Sequence, residues 1–183
     1  MTIARRSLTA SMTALFAIGG ALALTPVASS APAGFPDVDS FPRVDPTAGY
    51  EVRGAHPSGS GWGFTTASGW VCEDSLIAEL GVLCRVPASG PEAKGIVASA
   101  SVSSAGRIGE DTTDVGDETF PLLPTGSSIA TDNGVTCAAL TDESLACRAV
   151  IPASWGPNVQ NPPDRVYGEH GFVLAPRGAS TTF

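Results

Sequence analysis

The sequence predicts an all-β protein, a small sandwich or partly open barrel built from two similar disulfide-closed hairpin units. Short runs of period-two alternation recur between Gly- and Pro-rich turns. No segment carries a helical apolar stripe. One short pattern occurs twice, each time closing on a cysteine pair. The first copy is Phe64-Thr65-Thr66-Ala67-Ser68-Gly69-Trp70-Val71-Cys72, followed by Cys84; the second is Ile129-Ala130-Thr131-Asp132-Asn133-Gly134-Val135-Thr136-Cys137, followed by Cys147. The spacing from apolar residue to glycine to cysteine is the same in both.

The chain opens as a secretory signal, assigned to residues 1–33. Arg5 and Arg6 form a positive start, residues 8–24 are uncharged and mostly apolar, and Ala31-Pro32-Ala33 is the best small-residue cleavage site, with Ala28-Ser29-Ser30 as a nearby alternative. The run is short for a membrane span of about 20 residues. No later stretch is apolar enough to span after cleavage. Residues 34–61 read as an extended lead-in, because Pro36 and Pro42 interrupt any helix. A short strand near Tyr50-Glu51-Val52 is expected to dock on the core.

Residues 62–176 form the expected β-domain. Trp62, Phe64 and Thr66 share one strand face, and Ala67-Ser68-Gly69 turns the chain back. Trp70 and Cys72 share a face of the next strand; Val82, Cys84 and Val86 share a face of the one after. Residues 96–102 read as a further strand. Residues 106–118 read as a polar, acidic loop. Phe120-Pro121-Leu122-Leu123-Pro124 leads into the second copy, where Asn133-Gly134 is a strong hairpin turn. Val135, Cys137 and Ala139 then share a face, as do Leu145, Cys147, Ala149 and Ile151. Residues 151–165 read as a long Pro- and Asn-rich loop, His170-Gly171-Phe172-Val173-Leu174 as the last strand, and 177–183 as a disordered tail.

In both copies the cysteines fall at the apolar phase of the alternation. Four cysteines in an exported chain read as two disulfides with three possible connectivities. Cys72–Cys84 with Cys137–Cys147 is expected, because each pair belongs to one copy; the alternative clips the two halves together. A mature chain of about 150 residues buries roughly 68–70% of its unfolded surface, enough for one core.

The order of these motifs resembles a family of small exported four-cysteine proteins of mycobacteria and related actinobacteria. That family carries F-x-S-P-S-G-x-x-x-C, a second Cys, L-P-x-G, a further Cys, G-V-x-C and G-H-G-F. The corresponding residues here are Phe64 to Cys72, Cys84, Leu123-Pro124-Thr125-Gly126, Val135-Thr136-Cys137, Leu145-Ala146-Cys147 and Glu169-His170-Gly171-Phe172. Thr66-Ala67-Ser68 stands in place of S-P-S, and Glu169 in place of the first Gly of G-H-G-F. The resemblance implies export, disulfides and the β-fold, and it carries no assigned activity.

The formal net charge of −8 and the single lysine, Lys94, leave no basic patch. Nucleic-acid binding and attraction to an anionic membrane therefore lack their electrostatic footprint. Two histidines, His56 and His170, and four oxidised cysteines offer no zinc set, and no C-x-x-C is present. Asp37 with Asp39, and Glu110, Asp111, Asp114, Asp117 and Glu118, are the acidic groups that calcium would use; a solvated acidic surface is the default reading. No metal or cofactor is assigned. The expected function is non-enzymatic binding of a partner or ligand in the cell envelope or outside the cell. Trp155 is the expected exposed anchor and His170 a second candidate. The alternatives are a secreted hydrolase using His170 with a carboxylate, and a secreted protease inhibitor presenting residues 152–163.

Overall fold

The computed structural model describes residues 31–86, 95–111, 119–176 and 180–183. The segment read as a signal, residues 1–33, lies outside them apart from its last three residues. So do Lys94, Asp114, Asp117 and Glu118. The described residues form twelve strands: β1 (Arg43–Val44), β2 (Glu51–Val52), β3 (Gly61–Thr65), β4 (Val71–Ser75), β5 (Val82–Val86), β6 (Gly95–Ser101), β7 (Ser104–Asp111), β8 (Ser127–Ala130), β9 (Val135–Ala139), β10 (Leu145–Ala149), β11 (His170–Leu174) and β12 (Thr181–Thr182). They make two six-stranded sheets, ordered β2-β3-β4-β5-β6-β7 and β1-β8-β9-β10-β11-β12. The sheets do not close into a barrel; the fold is a sandwich. No helix among the described residues is long and apolar enough to cross a membrane.

The duplicated pattern becomes duplicated topology. Each copy runs as an antiparallel meander of five strands, β3–β7 and β8–β12. In the first, Phe64, Cys72, Cys84 and Ala98 stand opposite one another in a row across the sheet. In the second the row is Ile129, Cys137, Cys147 and Phe172. Both disulfides join neighbours in these rows, Cys72–Cys84 and Cys137–Cys147, as expected. All four cysteines are fully buried in one continuous core that draws on both sheets. The bulky residue sits at opposite ends of the two rows. The turns that start each copy use the same device: Gly69 (φ +87°) and Gly134 (φ +91°) adopt the left-handed backbone that other residues rarely take.

The lead-in is built into the fold. β2 pairs with β3, the docking expected near Tyr50-Glu51-Val52. Phe35, Val38 and Phe41 cover the outer face of the second sheet, against Ala138, Ala146 and Val173. The Phe-Pro dipeptides then cross between the halves. After Phe41-Pro42, β1 adds in parallel to β8 of the second half. The Ser128 amide donates to the Pro42 carbonyl at 2.9 Å and its hydroxyl to the Phe41 carbonyl at 3.1 Å. After Phe120-Pro121, Leu122 bridges in parallel to Thr65 of the first half. The Thr65 amide donates to the Pro121 carbonyl at 2.9 Å and its hydroxyl to the Phe120 carbonyl at 3.3 Å. The segment leading into each half is thus tied to the sheet of the other, by a short strand in one case and a single bridge in the other.

Three expectations are corrected. Residues 104–111 are strand β7, not the start of a loop. Its residues have weak β-propensity, but pairing along β6 satisfies its backbone, and its charges suit an edge. Ile151 does not continue the buried face of β10, which ends at Ala149; Ile151 is exposed. Residues 181–183 are not a frayed tail. β12 pairs with β11, Phe183 and Gly171 exchange backbone hydrogen bonds, and the Phe183 ring packs edge-on against Phe35.

Candidate functional site

Three concave regions meet at Trp62. One, about 400 Å3, lies on the outer face of the first sheet beside Val52, Glu73, Leu80 and Leu83. A second, about 270 Å3, runs along the edge strand β2, past Glu51, Val52, Arg53 and Leu76. The third, about 440 Å3, passes Leu76, Ile77 and Glu79 to Asp132 and Trp155. Trp62 lines all three. Its indole nitrogen is shielded and has no acceptor among the described residues, so ring packing rather than a polar contact holds it.

The wall of this cleft is the connection between β4 and β5. Ala78 points into the protein and is 5% exposed, which turns its neighbours outward: Leu76 is 51%, Ile77 36% and Leu80 53% exposed. Backbone bonds fix the connection. The Leu76 amide donates to the Ser60 carbonyl at 2.8 Å, and Leu80 and Gly81 both donate to the Ile77 carbonyl. Opposite stands a single 3-10 turn, Ala153–Trp155. Trp155 is half-buried rather than a free anchor, its ring 5.0 Å from that of Tyr167 in an edge-to-face contact. The Tyr167 hydroxyl donates to Glu79 Oε1 at 3.2 Å, which ties the Trp155 loop to the aliphatic connection. Three aliphatic side chains this exposed, gathered beside two tryptophans, are unusual on a protein surface that meets only water.

Beneath the cleft the two halves are joined by a buried polar group. Asp74 is 4% exposed. Thr131 donates its hydroxyl to Asp74 Oδ2 at 2.6 Å, and Asn133 donates its amide to Oδ1 at 2.7 Å and to the Ser75 carbonyl. The turn of the first copy reaches back in the same way, with Ser68 Oγ donating to the Glu143 carbonyl at 2.9 Å. Burial pushes the Asp74 carboxyl up to about 7, against the opposing pull of the Thr131 and Asn133 hydrogen bonds. The folded protein therefore keeps a proton on Asp74 over a range, from about 3.8 to about 7, where the unfolded chain has lost it. This contribution to stability is full below the unfolded value and is lost as pH rises through 7. Urea denaturation at pH 5 and pH 8 should show the wild type gaining stability at the lower pH relative to Asp74→Asn. Parallel pH dependence in the two proteins would contradict this assignment.

His170 opens β11, opposite Ala149. It lines neither the Trp62 cleft nor the concavity beside Arg148. No hydrogen bond joins its imidazole to a carboxylate among the described residues. The adjacent Glu169 side chain is buried and faces the Arg148 guanidinium at 3.6 Å, while Arg148 also bonds Asp39. Asp39 binds Arg43 as well, so it serves to hold the lead-in on the second sheet. Among the described residues no group of three or more His, Cys, Asp or Glu side chains is placed to hold a metal ion. The fold does not bring His170 and Trp155 into one site. It brings Trp155 to Trp62 instead.

No family model, curated protein or solved structure matches this chain.

The aliphatic connection was missed in the sequence. Nothing in the residues alone sets Leu76, Ile77 and Leu80 apart; it is the burial of Ala78 in the fold that turns the larger side chains outward.

Proposed function

We propose that this protein is exported, acts outside the cytoplasmic membrane and works there by binding a partner through the Trp62 cleft. The observation that carries the reading is the exposure of Leu76, Ile77 and Leu80 on a hydrogen-bonded connection beside Trp62 and Trp155. A rigid wall presenting apolar side chains loses little entropy on binding. Export is supported by the Arg5-Arg6 start with its apolar run, and by two disulfides, which are typical of oxidising compartments. The resemblance to exported four-cysteine proteins of mycobacteria points the same way.

The test uses the disulfide-bonded protein as bait in a pull-down from native cell-envelope extract. Leu80→Arg and Trp155→Ala should each lower capture of the wild type's partner at least tenfold while the melting temperature stays unchanged. Equal capture by the wild type and both variants would remove this end of the sandwich from consideration.

A further inference from the structure

We infer that the Trp62 cleft takes an extended, cationic segment of a protein, with aliphatic side chains seated between the rims; this rests on the binding role proposed above. The argument is one of charge and side-chain type. Glu79 and Asp132 line the reach between Trp62 and Trp155. Arg53 on the rim is paired with Glu51 at 3.2 Å, and Arg165, whose charge reaches Glu79, is paired with Asp164 at 2.8 Å. An excess of carboxylates around an apolar floor repels acidic segments and steers basic ones. The floor itself is aliphatic, formed by Val52, Leu76, Leu80 and Leu83. The two tryptophan rings are half-buried in the walls rather than laid open as flat platforms. Leucine-type walls match aliphatic side chains of a polypeptide better than they match the hydroxyl-rich faces of a glycan.

The protein shows on its other sheet what such a ligand looks like. There its own lead-in lies across the outer face as an extended, proline-broken strap, with Phe35, Val38 and Phe41 seated apolar and Asp39 bonded to Arg148. The Trp62 cleft offers apolar seats with Glu79 and Asp132 at its rim, so the matching strap carries the opposite charge.

The experiment titrates the isotopically labelled, disulfide-bonded protein with three probes. These are a ten-residue peptide alternating Leu and Lys, its Leu/Glu counterpart, and a linear neutral hexasaccharide. The Leu/Lys peptide should shift the amide signals of Trp62, Ile77 and Leu80. Its affinity should fall at least tenfold in Glu79→Lys/Asp132→Lys, and measurably in the isosteric pair Glu79→Gln/Asp132→Asn, which keeps the Tyr167 contact. Raising salt should weaken it further. Equal binding of the Leu/Glu peptide, indifference to both charge variants, or shifts confined to other surfaces would overturn the inference. Cleft shifts with the hexasaccharide alone would overturn it too, yet leave the binding role standing. Loss of that role would instead appear as Leu80-independent capture in the envelope experiment.

Discussion

Replacing both cysteine pairs by alanine is expected to leave the chain largely unfolded at 37 °C. The disulfides close short loops, with sequence separations of 12 and 10 residues. In the chain-entropy model each is worth about 3 kcal/mol, and both together about 6 kcal/mol. That is comparable to the whole stability of many domains, about 5–15 kcal/mol. Each pair also fills the middle of its row, so alanine leaves space between Phe64 and Ala98, or between Ile129 and Phe172. The single-pair variants Cys72→Ala/Cys84→Ala and Cys137→Ala/Cys147→Ala should each fold, with urea midpoints lowered by similar amounts. Denaturation with and without reductant measures this. A midpoint that ignores the reductant would show that the staples contribute nothing to stability.

The second large effect is expected at Phe172. Its side chain is fully buried, in the core shared by both sheets, and its backbone stands between Cys147 and Thr182. Phe172→Ala removes the largest side chain of its row and should cost about 3–5 kcal/mol, since the rigid disulfide beside it prevents the site from collapsing. The adjacent Val173 points to the opposite face and is half-buried under the lead-in. Val173→Ala should cost roughly 1 kcal/mol, because less apolar area leaves water. Phe172→Leu should restore much of the loss. Equal effects at 172 and 173 would mean that the core does not run through this row.

The elements that could be read from residues alone were those whose information is local. A turn glycine three residues before a cysteine, with alternation on both sides, sets a hairpin, its register and the burial of the sulfur together. That is why the two disulfides follow from the pattern. β1 and β12 are only two residues long, too short for any alternation to register; β1 is fixed by a partner far along the chain, and β12 by the edge of β11 just before it. β7 has two glycines and several charges, so its strand character comes from β6 rather than from itself. The binding surface was legible only in part. Trp155 stood out as a loop aromatic, but its neighbour across the cleft, Trp62, read as a core residue because it keeps phase with Phe64. His170 stood out through the motif resemblance, and the strand places it away from the cleft.

The crossing of the Phe-Pro segments sets an order on events during synthesis. The hydroxyl of Thr65 is bonded to a carbonyl 55 residues further on. A chain that emerges amino end first reaches Thr65 long before Phe120 arrives, and until then β3 lacks the bridge to Leu122. Ser128 in turn must find Phe41, 87 residues behind it. Neither half therefore has all of its native hydrogen bonds before residue 128 has been made. Such non-local closure is slow compared with helix formation. The contacts that tie each leading segment to the opposite sheet therefore wait on residues 120–128, and the fold is closed from behind.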